Sequence, residues 1–536
     1  MSDPITFFVS QFRGLLPESP EALRGFLPRP YRNAAVRFRA SSVADFEERR
    51  ALVEETGLNV FSFPARMIPG CDLLTDSGTT TMTLDQWAAM VKGDESYGSN
   101  EGYFELREQI PSTFGSEWEQ TDKFRENFFI FHQGRSAEHN FFNLFAGELR
   151  KTQPDVDNGF PDSLRPDLRA RIESRIEGLR QPYFVIPSNS HFDTTEGNIE
   201  DSRLIPLNLP GPEHIRGDED FPFRGNIDID ALEALLDSIG PRVPLVYLTI
   251  TNNTGGGQPV SMENIRRVRK LTEQHDIPLF FDACRFAENA WFIQQKEPEY
   301  RDKPITEIVH EMFRLVDGFH ISFKKDGLVN IGGGMAFKED GRFYRKYPDF
   351  WMKMVDRQIL VEGHPTYGGL AGRDLKALIE GLRTVVTQDY LDYRIGQVGR
   401  FGSKLESCGI PVIRPFGGHA VYLDVDRFFA DTETRDDDLK GIAFTALMLV
   451  AGHRLVELGL YAFGKFKDGK EIPPNPRVNF VRASVPRLTY EDQDLYSVAE
   501  AAKILYEYRD RIPAVEVIYG RDLFLRHFKS RFRFKF

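Results

Sequence analysis

The stretch HISFKKDGLVNIGGG, residues 320–334, closes an apolar run with Ser322 and two adjacent lysines, Lys324 and Lys325, ahead of a glycine-rich turn. A lysine amine can condense with an aldehyde and do covalent chemistry. A hydroxyl and a second amine beside it can hold an anion. Upstream, PLFFD ends in Asp282, and Arg285 follows shortly. A carboxylate ending one strand and a lysine ending a later one suit pyridoxal 5'-phosphate. The lysine takes the aldehyde, and the carboxylate keeps the pyridine nitrogen protonated so that the ring accepts electrons. Two more strand ends carry fitting groups. Phe192, opening FDTT, offers an aromatic face to the ring. Asn253, after VYLTITN, offers an amide to the phenolic oxygen. In HQGRSAEHN, Gln133, Gly134 and Arg135 fall at an expected helix start, a natural anion site. Ser322 and Lys324 could close around the same phosphate. Taken singly, each has a plainer reading: Asp282 as a helix cap, the lysines as a solvated pair, Gly255-Gly256-Gly257 as a flexible turn.

The elements that must position these groups are legible between residues 180 and 340. PYFVI, PLVYLTI, IPLFFD and GFHISF read as buried strands, and SMENIRRVRKLTEQH as a crossover helix capped by Ser261. Such alternation predicts an α/β fold with a mostly parallel sheet covered on both faces, its ligands beyond the carboxyl ends of the strands. Residues 1–30 are Pro-rich and read as an arm. Residues 151–180 read as a polar surface insertion with a helix in their second half. The C-terminal LRHFKSRFRFKF reads as a strand with one wet, basic face. The length of 536 residues suits two to four structural units. A net charge of −12 argues against sequence-independent nucleic-acid binding. Three scattered cysteines, Cys71, Cys284 and Cys408, offer neither a disulfide framework nor a zinc cluster. With no signal-like N-terminus and no apolar run near 18 residues, a cytoplasmic protein away from the membrane is expected.

Longer motifs carry a family resemblance. DLLTDSGTTTMTLDQWAAMVKGDESYGSNEGYFEL, HQGR, FDTTEGN, NNTGGGQPVSMENI, DACRFAENAWFI, SFKKDGLVN and EGHPTYGGLAGRDLKAL resemble the β-eliminating lyases, tryptophanase and tyrosine phenol-lyase, from about residue 65 to the C-terminus. The resemblance implies pyridoxal phosphate fold type I: a large cofactor domain over 70–375 and a smaller α+β domain from 31–69 and 376–536. It also implies a homotetramer of two catalytic dimers and a monovalent cation, potassium. Lys325 matches the cofactor-bound lysine, Asp282 the pyridine-nitrogen partner and Arg285 the arginine beside it. Gln133, Gly134, Arg135, Ser322 and Lys324 match the phosphate cup, Phe192 the stacking aromatic, and Asn253 the asparagine by the phenolic oxygen. Arg482 matches the clamp on the substrate carboxylate, suited to a bidentate guanidinium. Tyr97 matches a general acid reaching in from a neighbouring subunit. Glu95, with backbone oxygens of Gly78 and Asn330, matches the cation site.

Pocket positions separate the two siblings. Leu458 stands where the phenol-lyase has its phenol-binding arginine. Asp193 and His527 match tryptophanase residues. LDQWAAM and GSNEG look closer to the phenol-lyase, while His364, Ser190-His191 and Phe323 depart from the family at or near the pocket. The expected function is β-elimination from tryptophan or a related aromatic amino acid, releasing an indole-type product, pyruvate and ammonia. Tyr97 or the Asp193/His527 pair would protonate the leaving group. A lyase for S-substituted cysteines is the alternative within the same chemistry. A silent cofactor-holding scaffold is the alternative outside it, disfavoured because Lys325, Asp282 and Arg482 are all intact.

Overall fold

The computed structural model describes residues 46–467, 469–474 and 477–535. The arm expected at 1–30, and residues 31–45 of the expected small domain, lie outside the described residues. Seven short strands come first: β1 Phe128–Phe131, β2 Val185–Ser188, β3 Ile205–Asn208, β4 Val246–Thr249, β5 Leu279–Asp282, β6 Gly318–Ser322 and β7 Gly333–Phe337. Five form one sheet in the order β1-β7-β6-β5-β4. Strands β4, β5 and β6 run parallel, and β7 runs antiparallel to both its neighbours. β2 and β3 form a parallel pair. The Asn189 side chain joins that pair to β4, donating to the Thr249 carbonyl at 2.9 Å and accepting from its N–H at 2.8 Å.

Residues alternate between two apolar layers, as the period of a strand requires. Val246, Leu248 and Phe281 enter one core, while Tyr247, Phe280 and Phe337 enter the other, among Phe141, Phe145 and Phe343. Both faces are therefore covered, and the strands between them are apolar throughout. The crossover helix spans Met262–Gln274, and the Ser261 hydroxyl accepts from the Asn264 N–H at 3.0 Å, as expected of its cap. The glycines after the lysines do not make a turn: Gly333 and Gly334 open β7. A Cβ on Gly333 would sit 2.2 Å from the Gln133 carbonyl carbon, so only glycine admits this strand against the start of the following helix.

The second unit holds β8 Ala420–Asp424, β9 Val456–Leu458, β10 Lys465–Lys467, β11 Lys470–Ile472, β12 Phe480–Ser484, β13 Ala514–Tyr519 and β14 Arg531–Lys535. Its sheet is antiparallel, ordered β8-β12-β9, with hairpins β10–β11 and β13–β14 beside it. β14 exposes Arg531 and Arg533 and buries Phe532, the basic wet face read from the sequence. The core of this unit draws on Val53–Leu73 and on residues from Val398 onward, whereas Leu375, Leu382, Leu391 and Ile395 pack into the sheet domain. We therefore propose a domain boundary within the helix Gln388–Ser407, later than the 375/376 position expected. The 151–180 segment does carry its helix, Pro166–Glu173, which buries Leu168 and Ile172. Arg175 beyond it pairs with Glu196 at 2.6 Å and Glu200 at 2.5 Å.

Between the units lies a buried ion network. Arg487 reaches Asp76 at 2.9 Å, Glu288 at 2.8 Å and Asp326 at 2.9 Å. Arg285 grips Asp76 with two bonds of 2.7 and 3.0 Å, and Arg394 meets Glu288 at 3.2 Å. Burial opposes ionisation of Asp76, but Arg285 and its other cationic neighbours hold its carboxyl well below the usual range. Removing one partner leaves buried charge uncompensated, which costs about 3–5 kcal/mol. Arg487→Met should lower the urea midpoint of unfolding by that amount of stability, whereas Arg50→Met, removing an exposed i,i+4 pair with Glu54, should leave it within about 0.5 kcal/mol.

Candidate active site

Strands β5 and β6 place the first chemical groups. Asp282 ends β5 and lies in register with His320 on β6. His320 and Ser322 share one face because they are two residues apart. All the residues expected to hold the cofactor line one pocket: Gln133, Gly134, Arg135, Phe192, Asn253, Asp282, Arg285, Ser322, Lys324 and Lys325. Glu138, Thr194, Thr195, Cys284 and His320 also line it.

One end of this pocket is cationic. The helix Gly134–Thr152 starts there, and a Cβ on Gly134 would lie 2.7 Å from the Ser322 Cβ, so glycine lets the helix start abut β6. Burial, then the neighbouring charges of Lys325 and Arg135, push the Lys324 amine down from its ordinary pKa. Among the described residues, no carboxylate lies at ion-pair distance from any of these three cations. A helix N-terminus with uncompensated cations fits a phosphate. The opposite end is acidic. Asp282 is 4% exposed, and His320 Nε2 lies 3.7 Å from it and 3.1 Å from the Glu138 carboxylate. Burial pushes the Glu138 carboxyl up, and the charge of Asp282 adds to that. Phosphate at one end, ring nitrogen at the other and the Phe192 ring on the wall fit a phosphorylated pyridine aldehyde.

The second unit reaches the pocket through Asn253. Its side-chain oxygen accepts from the Tyr422 hydroxyl at 2.7 Å and from Arg482 Nη1 at 3.3 Å, and lies 3.1 Å from His419 Nε2. Arg482 is buried, yet its Nε has no partner among the described residues. Asp193 follows Phe192 as the first residue of the helix Asp193–Asp201. Its carboxylate comes within 3.4 Å of His527 Nε2, both side chains being under 8% exposed. Neither lines the pocket itself.

Other expected residues are apart within one chain. Tyr97 is 82% exposed, its ring against Tyr367 and His364. Glu95 pairs with exposed Arg373 at 2.6 Å. Gly78 and Asn330 do meet: a Cβ on Gly78 would lie 3.3 Å from the Asn330 carbonyl oxygen, and the Gly78 N–H donates to the Lys324 carbonyl at 2.8 Å. Phe323, expected near the pocket, instead packs into the core with its ring 6.3 Å from Phe128. The strand alternation that aims Ser322 at the pocket turns Phe323 away. His364 bonds Thr366 at 2.8 Å, and Leu458 is buried on β9 opposite Phe480. Sequence reasoning missed Glu138, His320, His419 and Tyr422. The period of β6 could have found His320, and one helical turn from Gly134 could have found Glu138. For His419 and Tyr422 no local signal exists.

A model of the β-eliminating lyases matches residues 72–501. The chain belongs to the β-eliminating lyase family. It is 38% identical to the tryptophanase of Salinibacter ruber over 92% of this chain and 94% of that one. It is 35% identical to the tyrosine phenol-lyase of a Symbiobacterium species over 91% and 94%. The fold resembles the crystal structure of Pyrococcus protein-A1, with a TM-score of 0.53, 14% identity and coverage of 86% of this chain and 96% of that one. The protein is accordingly a pyridoxal phosphate-dependent lyase of fold type I.

Next to the pocket wall, His191 is buried and donates from Nε2 to the Ile186 carbonyl, 2.9 Å away. Burial pushes its pKa from 6.5 down to about 4. The unfolded chain therefore binds a proton that the lyase excludes, and stability falls as pH drops from about 6.5 to about 4. Wild type should lose up to about 3 kcal/mol more over that window than His191→Gln, read from urea midpoints at each pH.

Proposed function

We propose that this lyase cleaves tryptophan or a close aromatic relative by β-elimination. The observation that carries this reading is the buried Asp193–His527 pair beside Phe192, with Leu458 where a phenol would need a cation. A neutral leaving group with an N–H suits a carboxylate–imidazole pair better than a phenol does. Bound pyridoxal phosphate supplies an electron sink for the α-carbon. The remaining work falls to the chain. Arg482, whose Nε has no hydrogen-bond partner among the described residues, clamps the substrate carboxylate. Lys325 Nζ takes the α-proton, and Asp282 keeps negative charge at the ring nitrogen. His527 and Asp193 hold the leaving group and help deliver a proton to it. Tyr97, exposed in one chain, acts as an acid in the pocket of a neighbouring subunit.

The same assembly would complete a potassium site from the oxygens of Gly78 and Asn330 and the Glu95 carboxylate, in a cytoplasmic homotetramer. Pyruvate and ammonia leave with the indole-type product.

Two experiments test this. Asp193→Ala and His527→Phe should slow tryptophan cleavage by on the order of 100-fold, because a pocket that bonds a substrate group discriminates strongly when that bonding is lost. β-Chloroalanine, whose chloride needs no such help, should react within about threefold of wild type in both variants, followed as pyruvate release. Equal slowing of both substrates would make the pair structural, and pyruvate from S-substituted cysteines but not from tryptophan would replace the reading. Separately, inactive Tyr97→Phe and Lys325→Ala subunits, mixed and reassembled, should regain activity in hybrid dimers. No regain would place Tyr97 outside the neighbouring pocket.

A further inference from the structure

His320 belongs to none of the roles above, yet it occupies the centre of the acidic end of the pocket. It is 2% exposed. Its Nδ1 meets the Tyr247 hydroxyl, and the two rings stack at an interplanar angle of 10°. On the other side, Nε2 lies 3.1 Å from Glu138 and 3.7 Å from Asp282. Four titratable groups thus face it: Tyr247 from β4, Asp282 from β5, Cys284 just after β5 with Sγ 3.9 Å from Nε2, and Glu138 from the helix Gly134–Thr152. Lys325 adds its charge at Glu138.

The hydrogen bonds have a direction. Burial and the nearby carboxylates keep Tyr247 protonated, so its O–H donates to Nδ1 and leaves the ring proton on Nε2. That proton then faces both carboxylates, nearer to Glu138 at 3.1 Å than to Asp282 at 3.7 Å. Thr195 donates to Glu138 from the far side. Without His320, two buried carboxylates would stand together, Glu138 keeping the Thr195 hydroxyl and Asp282 the Cys284 N–H at 3.3 Å.

We propose that His320 is a positioning residue, which holds the Asp282 carboxylate aimed at the cofactor's ring nitrogen by setting Nε2 between the two carboxylates, 3.7 Å from Asp282 and 3.1 Å from Glu138. The proposal rests on the pocket holding pyridoxal phosphate with Lys325 at its aldehyde. His320→Phe keeps the stack on Tyr247 but removes the donor. His320→Asn keeps a donor.

The test compares wild type with both variants, each reconstituted with pyridoxal phosphate, by cofactor affinity, by the pH midpoint of the visible absorption and by thermal midpoint. In His320→Phe, affinity should weaken about 10- to 100-fold, the range for a lost hydrogen bond to a charged group. The absorption midpoint should rise by about one pH unit, since a less firmly protonated ring nitrogen repels the proton at Lys325 less. His320→Asn should restore at least half of that shift. Unchanged affinity and midpoint in His320→Phe, with only the thermal midpoint lowered, would make His320 a packing residue and overturn the proposal. If His320→Phe does not fold, His320→Leu, which also lacks a donor, takes its place, and an unshifted midpoint and affinity in it overturn the proposal. A wild type that binds no pyridoxal phosphate would overturn the cofactor reading itself, and so separates the two failures.

Discussion

Six buried charges, three carboxylates and three guanidinium groups, hold the site together. Asp76 comes from the segment ahead of the sheet domain, Arg285, Glu288 and Asp326 from the loops and helix beyond β5 and β6, and Arg394 and Arg487 from the long helix and the second unit. In a dry interior none of these ions is tolerable alone, so each fixes the position of the next. The consequence for the pocket is direct. Asp326 follows Lys325 and also accepts from the Ala287 N–H at 2.9 Å, which ties the lysine loop to the loop after Asp282. Lys325 and Asp282, the two groups on which the proposed chemistry turns, are thereby held in one frame. The second unit cannot shift against that frame without separating Arg487 from three anions.

Within that frame the pocket is polar from end to end. Cations and helix N–H groups gather where β6 meets the helix at Gly134, and carboxylates gather along β5 and the next turn of the same helix. A ligand with a phosphate at one end and a basic ring nitrogen at the other is oriented by this field before any covalent bond forms. Phe192 then needs only to supply a flat wall. Burial lowers the pKa of the Lys324 amine, and the neighbouring cations Lys325 and Arg135 lower it further.

The sheet domain was legible because its strands are short, continuous apolar runs with the proposed cofactor groups at or shortly after their ends. A reader needs only to follow each run to its end to reach Asn253, Asp282 and Lys325. The crossover helix at Ser261 was equally plain, since its cap and its apolar face both obey local rules. What failed to show was whatever depends on distance in three dimensions. Gly333 was read as part of a turn because nothing in IGGG reveals that the Gln133 backbone passes 2.2 Å from where its Cβ would be. Phe323 was placed by its neighbour's function rather than by its side of the strand. The boundary we propose within the helix Gln388–Ser407 rests on which core Leu391 and Ile395 join, and that too depends on distance in space. His419 and Tyr422 reach Asn253 only through the meeting of two units, which no window of sequence contains.

The same division separates what is fixed in this enzyme from what can vary. Cofactor groups sit on strand ends tied to the buried ions, so a change there disturbs the fold as well as the chemistry. The Asp193–His527 pair is built differently. His527 lies in a single turn, Arg526–Phe528, held by its backbone: the Asn59 amide donates to the carbonyls of His527 at 3.2 Å and Ser530 at 2.7 Å. The Ser530 hydroxyl is bonded in turn to Tyr461 at 2.6 Å, three residues past the β9 strand that carries Leu458. The His527 side chain packs against Phe61 and Phe528 and faces Asp193, and its ring nitrogens have no hydrogen-bond partner among the described residues. On the proposed reading, the leaving group is recognised by side chains hung on the second unit, while the electron chemistry stays in the sheet. A substitution at Leu458 or His527 can then change which bond is cleaved without touching the buried ions or the cofactor groups, and one fold can serve both an indole and a phenol.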